Sequence, residues 1–257
     1  MAGGGIAGGI PSHKLVNTAI FGTPRVWEIL MIPGVATIFG WILAFWAGAL
    51  NTVSTLAVFF ERTSHVSGRI NDIGMNGVLQ PEDALLVLLI WVGFCFGSYL
   101  AGLVLDRIGI TRSLLVIAAG ILFGGFLVWR GFYVQDGDYY TVPRYIIAFY
   151  LPVTMGFQNA VTTLLPIGRS THWTGDSTDL GIAFAKKNYR YAIHNTLKIW
   201  GFICGAALVG YIMGMLEVPP METLVLITVL YVITVMVLSL SNRIYVDRKK
   251  SAQSSGM

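Results

Sequence analysis

Charge is what this chain has least of. Lys, Arg, Asp and Glu make up 12% of its 257 residues, about half the share in a soluble domain. So poor a supply of charge excludes an ordinary water-soluble globule. Cysteine is scarce too. Cys95 and Cys204 are the only two, each inside an apolar run, and no C-x-x-C spacing occurs. That excludes a disulfide framework and the usual zinc spacings. The two thiols read as small packing residues, and nothing supports a bond between them. Phosphate-cradling loops, nucleophile motifs and metal constellations are missing as well. An enzyme is therefore the least expected class, with no catalytic residue, no metal and no cofactor. The glycine-rich first residues lack a basic stretch followed by an apolar core, so no signal peptide is expected.

What the chain does have is apolar length. Hydrophobic residues make up 55% of it. Runs of spanning length, near 20 residues, fall at Ile32–Phe60, Ala84–Leu105, Ser113–Trp129, Tyr145–Leu165, Thr196–Leu216 and Thr223–Leu240. The expectation is an all-α integral membrane protein with six transmembrane helices in a lipid bilayer. Six spans divide the 17 Lys and Arg residues 13 to 4. The poor side holds only Arg62, Arg69, Arg130 and Arg144. By the positive-inside rule both termini are cytoplasmic. The net charge of +4 then serves orientation, and no nucleic-acid partner is implied. Trp27, Trp41, Trp46, Trp129, Tyr139, Tyr140 and Tyr145 read as interface anchors.

A duplication organises the chain. Arg62-Thr63-Ser64-His65-Val66-Ser67-Gly68, continuing to Asn71-Asp72-Ile73-Gly74, returns as Arg169-Ser170-Thr171-His172-Trp173-Thr174-Gly175, continuing to Thr178-Asp179-Leu180-Gly181. The offset is 107. At 108, Asn51 matches Asn159, Gly93-x-x-x-Gly97 matches Gly201-x-x-x-Gly205, and Gly102 matches Gly210. The unit is span, polar motif, span, span. Because three is odd, the second copy must start on the opposite side. This predicts two inverted-topology three-helix repeats, with helix breaks after spans one and four. The divisions are a cytoplasmic N-terminal extension at 1–30, a first repeat at 31–130, a second at 131–242 and a cytoplasmic tail at 243–257. Residues from Lys249 onward read as mobile. The Gly-x-x-x-Gly faces, including Gly120/Gly124 and Gly210/Gly214, suit close helix packing, either within the chain or against a second copy or another subunit.

Each motif reads as a helix break followed by a new helix N-terminus, with Asp176 or Ser177 capping the second. Freed backbone groups at membrane depth must be covered by protein or line a wet cavity. The candidate solute-binding residues are His65, His172, Asp72, Asp179, Asn51, Asn159, Ser67 and Thr174. The histidines and aspartates would couple or gate protons, while the amides and hydroxyls would contact solute. A second reading stays open. The motifs are then interfacial turns, one per membrane face, with the aspartates capping helices or pairing with Arg69 and Arg190. His13 and His194 lack partners in the repeat and read as surface or interfacial residues.

Two functions follow. One is a transporter or channel for a small polar or anionic solute with a site at the repeat interface. The other is a non-enzymatic accessory or structural subunit of a larger membrane complex. A polar, water-accessible cavity would favour the first. A dry interior with a broad apolar face would favour the second.

Met155-Gly156-Phe157-Gln158-Asn159-Ala160, Thr171-His172-Trp173-Thr174-Gly175 and Thr178-Asp179-Leu180-Gly181 resemble the hallmark of the YoaK-like six-span proteins of the bacterial inner membrane, grouped as a domain of unknown function (DUF1275). Ala47-Gly48 and Ser64-His65-Val66-Ser67-Gly68 are similar to its looser N-terminal pattern. The resemblance covers Phe39 to Leu240. It implies a six-span fold in a bacterial inner membrane and names no substrate. Arg69 departs from the pattern, in which asparagine follows the first motif's glycine, and a cation there would alter any solute site. The stretch Met1–Leu30 is longer than the family pattern.

Overall fold

The computed structural model describes residues 27–58, 63, 66–132, 141–170 and 173–255. Among them only helices and connecting turns occur. A short 3-10 turn at Glu28–Met31 leads into α1 (Pro33–Val53), which has proline at its first turn and ends in a π turn at Ser54–Val58. Next come α2 (Val66–Leu79), α3 (Pro81–Trp129), α4 (Val142–Thr163), α5 (Trp173–Ala185), α6 (Tyr189–Gly214) and α7 (Pro220–Ser255). Four helices, α1, α3, α6 and α7, are long and apolar enough to cross a membrane. The surface agrees: Phe96, Tyr99, Leu122, Phe126, Ile233 and Met236 are all exposed large apolar side chains. An outside this apolar belongs in hydrocarbon.

α3 is a hairpin, and its contacts say so. Gly93 and Gly97 meet the carbonyls of Phe149 and Val153 on α4, while Gly120 and Gly124 meet Thr154 and Leu151 of the same helix. In a straight helix Gly93 and Gly120 would stand roughly 40 Å apart, yet both touch one short stretch of α4. The reversal sits at Gly109, with φ 75° and ψ 171°, a backbone conformation open to glycine. The first arm runs parallel to α4 and the second antiparallel.

The remaining directions follow in the same way. Trp41 and Phe45 carbonyls meet Gly201 and Gly205, so α1 and α6 are parallel. Trp46 Nε1 donates to Thr234 Oγ1 at 3.2 Å and the Ile29 amide to Asn242 Oδ1 at 3.3 Å, so α7 opposes α1. Thr111 with Ser239 and Gly125 with Leu224 set α7 against the second arm of α3. Along the chain, α1, the two arms of α3, α4, α6 and α7 therefore alternate in direction.

The two tightest crossings match each other. Trp41–Gly201, Phe45–Gly205 and Gly48–Phe202 join α1 to α6; Phe149–Gly93, Val153–Gly97 and Gly156–Phe94 join α4 to α3. Every residue of one set differs from its partner in the other by 108. The first helix of each half thus packs on the second helix of the other half. Between helices in lipid the attraction is van der Waals contact rather than the hydrophobic effect. Glycine lets the backbones touch, and each missing Cβ is filled by a neighbouring carbonyl.

Several expectations shift. Cys95 and Cys204 are free and exposed; they lie off the glycine faces and do not pack. Trp46 is buried, bonded to Thr234 and edge-on to Tyr231, so it is a core residue rather than an interface anchor. Helix α7 continues through the expected tail to Ser255, because no glycine or proline interrupts the chain between Met221 and Ser255. Of the N-terminal extension only 27–30 is described; Trp27 and Leu30 are buried there against the bundle.

Candidate functional site

α1 and α4 end alike. Thr55 Oγ1 donates to the Asn51 carbonyl at 2.8 Å, and Thr163 Oγ1 to the Asn159 carbonyl at 2.6 Å. Such back-bonding bends helices and competes with their continuation. Beyond each break the motif returns to the helix it has just left. Thr63 Oγ1 donates to Asn51 Oδ1 at 3.4 Å, and Thr162 Oγ1 lies 3.1 Å from Ser170 Oγ. Ser54, Thr63, Thr162 and Ser170 are fully buried, and Asn51 nearly so. Ser54 corresponds to Thr162 at 108 and Thr63 to Ser170 at 107. The first break is thus closed by a knot of Thr63 on the Asn51 side chain, and the second by one of Ser170 on Thr162, with Asn159 taking part through its backbone carbonyl.

The knots serve equal purposes, so the loss of either should cost about the same. We expect Thr63→Val and Ser170→Ala each to lower stability by about 1 kcal/mol. Thermal unfolding of detergent-solubilised protein reads this. One silent and one severe variant would break the equivalence.

The second motif carries more. Its turn passes Gly168 at φ 76°, and one face of α6 holds it. His194 Nε2 lies 2.9 Å from the Ile167 carbonyl and so carries the proton; its Nδ1 lies 2.9 Å from Thr37 Oγ1 on α1. Lys198 Nζ donates to the Arg169 carbonyl at 3.0 Å and to Asp176 Oδ2 at 3.3 Å. Both partners of that ion pair are deeply buried, at 2% and 6% side-chain exposure. Burial pushes the Asp176 carboxyl up from its ordinary range, while the Lys198 charge and hydrogen bond pull it back. Tyr191 hydroxyl donates to Asp179 Oδ2 at 3.2 Å. At the matching positions the first half has Leu86, Ile90 and Arg69 in place of His194, Lys198 and Asp176. The copies share their hydroxyl knots and differ in their ions.

The expected site residues divide accordingly. Asn51 and Asn159 sit in the two knots. Asp179 is bonded to Tyr191, not paired with Arg190, and Asp72 is half-buried on α2. Helix α5 starts at Trp173, so Asp176 lies in its first turn and reaches Lys198 rather than capping the helix. His65, His172 and the side chains of Ser67 and Thr174 lie outside the described residues. His194 bridges α1 and the second motif rather than facing the surface.

Among the described residues the two sets do not meet. The first knot touches α1 at Asn51, whereas Ile167 beside the second motif packs on Gly40 with the Lys198 stem, and His194 of α6 meets Thr37. The eleven residues from Gly40 to Asn51 span roughly 17 Å of helix. The sequence alone counts Lys198 among the cytoplasmic bases and reads Asp176 only as a helix cap. The available signal was the position of Lys198 inside an apolar run, three residues before Gly201.

Residues 39–238 match the family described as Protein of unknown function (DUF1275). The chain belongs to the DUF1275 family. The match covers both knots, the ion pair and all six glycine and carbonyl crossings, so these belong to the family region of the chain. It does not extend to the narrower YoaK-like grouping. No curated protein and no solved structure matches this DUF1275 chain.

Proposed function

We propose that the chain crosses a bacterial inner membrane six times as two inverted three-helix repeats, with both termini cytoplasmic. In that membrane it acts as a transporter or channel for a small polar or anionic solute, without enzymatic chemistry. The pair of buried hydroxyl knots carries the reading. Polar groups at membrane depth are costly and mark solute paths, and interrupted helices in inverted repeats are a design of secondary transporters. Alternating helix directions, the exchanged packing of halves and the 13-to-4 charge division all support inversion. The roughly 17 Å along α1 between Asn51 and Gly40, where Ile167 packs, supports a reading with one motif toward each face. The motifs act as two gates of one path, both closed in this conformation.

Reconstituted protein should pass a small polar or anionic solute into liposomes. His172→Ala and Asn159→Leu should each reduce that flux at least ten-fold. Undiminished flux in both variants would remove the second motif from the mechanism. One observation favours the accessory-subunit reading. A surface groove of about 510 Å³ is lined by apolar residues including Leu122, Phe126, Trp129 and Met221. It is shaped for a lipid chain or a partner helix. Purification only within a stoichiometric complex, with no flux, would decide for that reading.

A further inference from the structure

The apolar groove between α3 and α7 has a defined depth in the bundle, and that depth selects what lies in it. Its walls are Ala119, Leu122, Phe126 and Trp129 on the second arm of α3, and Met221 and Val225 on α7. Gly125 lies at its floor, where an added Cβ would stand 3.4 Å from that of Leu224. From the reversal at Gly109 to Trp129 the arm rises roughly 30 Å, about one hydrocarbon thickness. Ala119 is the midpoint of that stretch. The groove therefore runs roughly 15 Å, from mid-membrane to one face, which is the depth of a single leaflet. A spanning partner helix would pack along the full thickness. A lipid tail needs only this half.

The mouth of the groove carries both signs of charge. Arg130 follows Trp129, and its guanidinium lies over that ring, 5.8 Å from the centroid. It is exposed, and no carboxylate among the described residues pairs with it. On the opposite wall Glu222 follows Met221 in the first turn of α7, exposed, with Glu217 exposed in the turn before it. We propose, resting on the six-span reading, that the groove holds one chain of a phospholipid with a primary-ammonium headgroup, its phosphate on Arg130 and its ammonium on Glu222. The signs select that headgroup. Arg130 offers the phosphate a forked, charge-assisted partner. One guanidinium and two carboxylates leave the mouth with a net charge of −1, so a lipid of net negative charge would meet repulsion there. A quaternary ammonium has no N–H to give the Glu222 carboxylate, whereas a primary one donates. The lipid would bridge α3 of the first repeat and α7 of the second, in the leaflet away from both termini.

The probes are phosphatidylethanolamine, phosphatidylcholine and phosphatidylglycerol with identical chains, added to delipidated full-length protein in a neutral detergent. Native mass spectrometry reads the bound lipid. The ethanolamine lipid should bind about ten-fold more tightly than either of the others, as one charge-assisted hydrogen bond contributes, and should raise the unfolding temperature most. Arg130→Gln and Glu222→Gln change exposed side chains and should fold like the parent. Each should weaken the ethanolamine lipid about ten-fold, and Glu222→Gln should abolish its advantage over the choline lipid. Ala119→Trp fills the deep end of the groove and should weaken all three lipids. Equal binding of the three by the parent, or an unchanged preference in both charge variants, overturns the proposal. Cross-linking of Leu122→Cys to a second polypeptide, in a chain without Cys95 and Cys204 and with no lipid bound, would give the groove to a partner protein and overturn it too. Sidedness is read separately, by thiol labelling of Leu216→Cys in intact cells. Headgroup selection with the mouth on the side of the termini would retire the six-span topology and keep the site. The expected sidedness without selection would remove the site alone.

Discussion

Lys198→Met should destabilise the protein by about 3–5 kcal/mol, the cost of leaving one charge of a buried pair without its partner. The variant strands the Asp176 carboxylate at 4% exposure. It also removes the donor that holds the Arg169 carbonyl, so the turn after α4 loses two anchors at once. The double variant Lys198→Met with Asp176→Leu should recover most of the loss. Replacing a buried ion pair by apolar groups of similar volume is often close to neutral, whereas breaking one is not. Unfolding midpoints of the parent, both single variants and the double variant complete the cycle. Additive losses would mean that the two groups do not act on each other. The equivalent change in the first half, Ile90→Met, keeps an apolar residue and should cost less than about 1.5 kcal/mol.

The second large effect lies at the helix crossings. Gly205→Ala puts a Cβ into the Phe45 carbonyl oxygen, and Gly97→Ala does the same to that of Val153. The obstacle in both cases is backbone, which no rotamer change relieves. The helices must separate, and the contacts around the crossing go with them. Each variant should lose about 3 kcal/mol or more, at or above the upper end of ordinary overpacking. Gly210→Ala is the control. An added Cβ there meets nothing within 4 Å, and alanine is the better helix former by about 1 kcal/mol. The yield of monodisperse protein and its thermal unfolding should therefore rank Gly210→Ala at or above the parent, with Gly97→Ala and Gly205→Ala well below it and close to each other.

The contrast among these glycines shows what was visible before the fold. The offset of 108 located the duplicated glycines and asparagines, since identity at fixed spacing needs no coordinates. It did not separate Gly201 and Gly205, which face α1, from Gly210, which faces open space. That difference depends on where α1 crosses α6. Nor did the repeat announce that each half packs its first helix on the other half. Hydropathy treats all apolar faces alike, and the partner is chosen by carbonyl-to-glycine fit. The site was legible in its repeated part and hidden in its unrepeated part. Asn51 and Asn159 stood out as amides in apolar runs. Lys198 and Asp176 did not, because a charge count assigns every lysine to water. Burial of Lys198 follows from the Asp176 carboxylate and the Arg169 carbonyl, brought to it by the turn at Gly168.

The account stands on the two motifs lying at opposite faces of the membrane. Gly74 and Gly181 are matched at the repeat offset, one on α2 and one on α5. Each has nothing within 4 Å of an added Cβ. With Cys95 and Cys204 replaced by alanine, single cysteines at these two positions test the arrangement with a membrane-impermeant thiol reagent. Gly74→Cys should label in intact cells and not in inside-out vesicles, while Gly181→Cys should label in inside-out vesicles and not in intact cells. Labelling of both from one side would contradict the inverted repeat and the two-gate reading built on it.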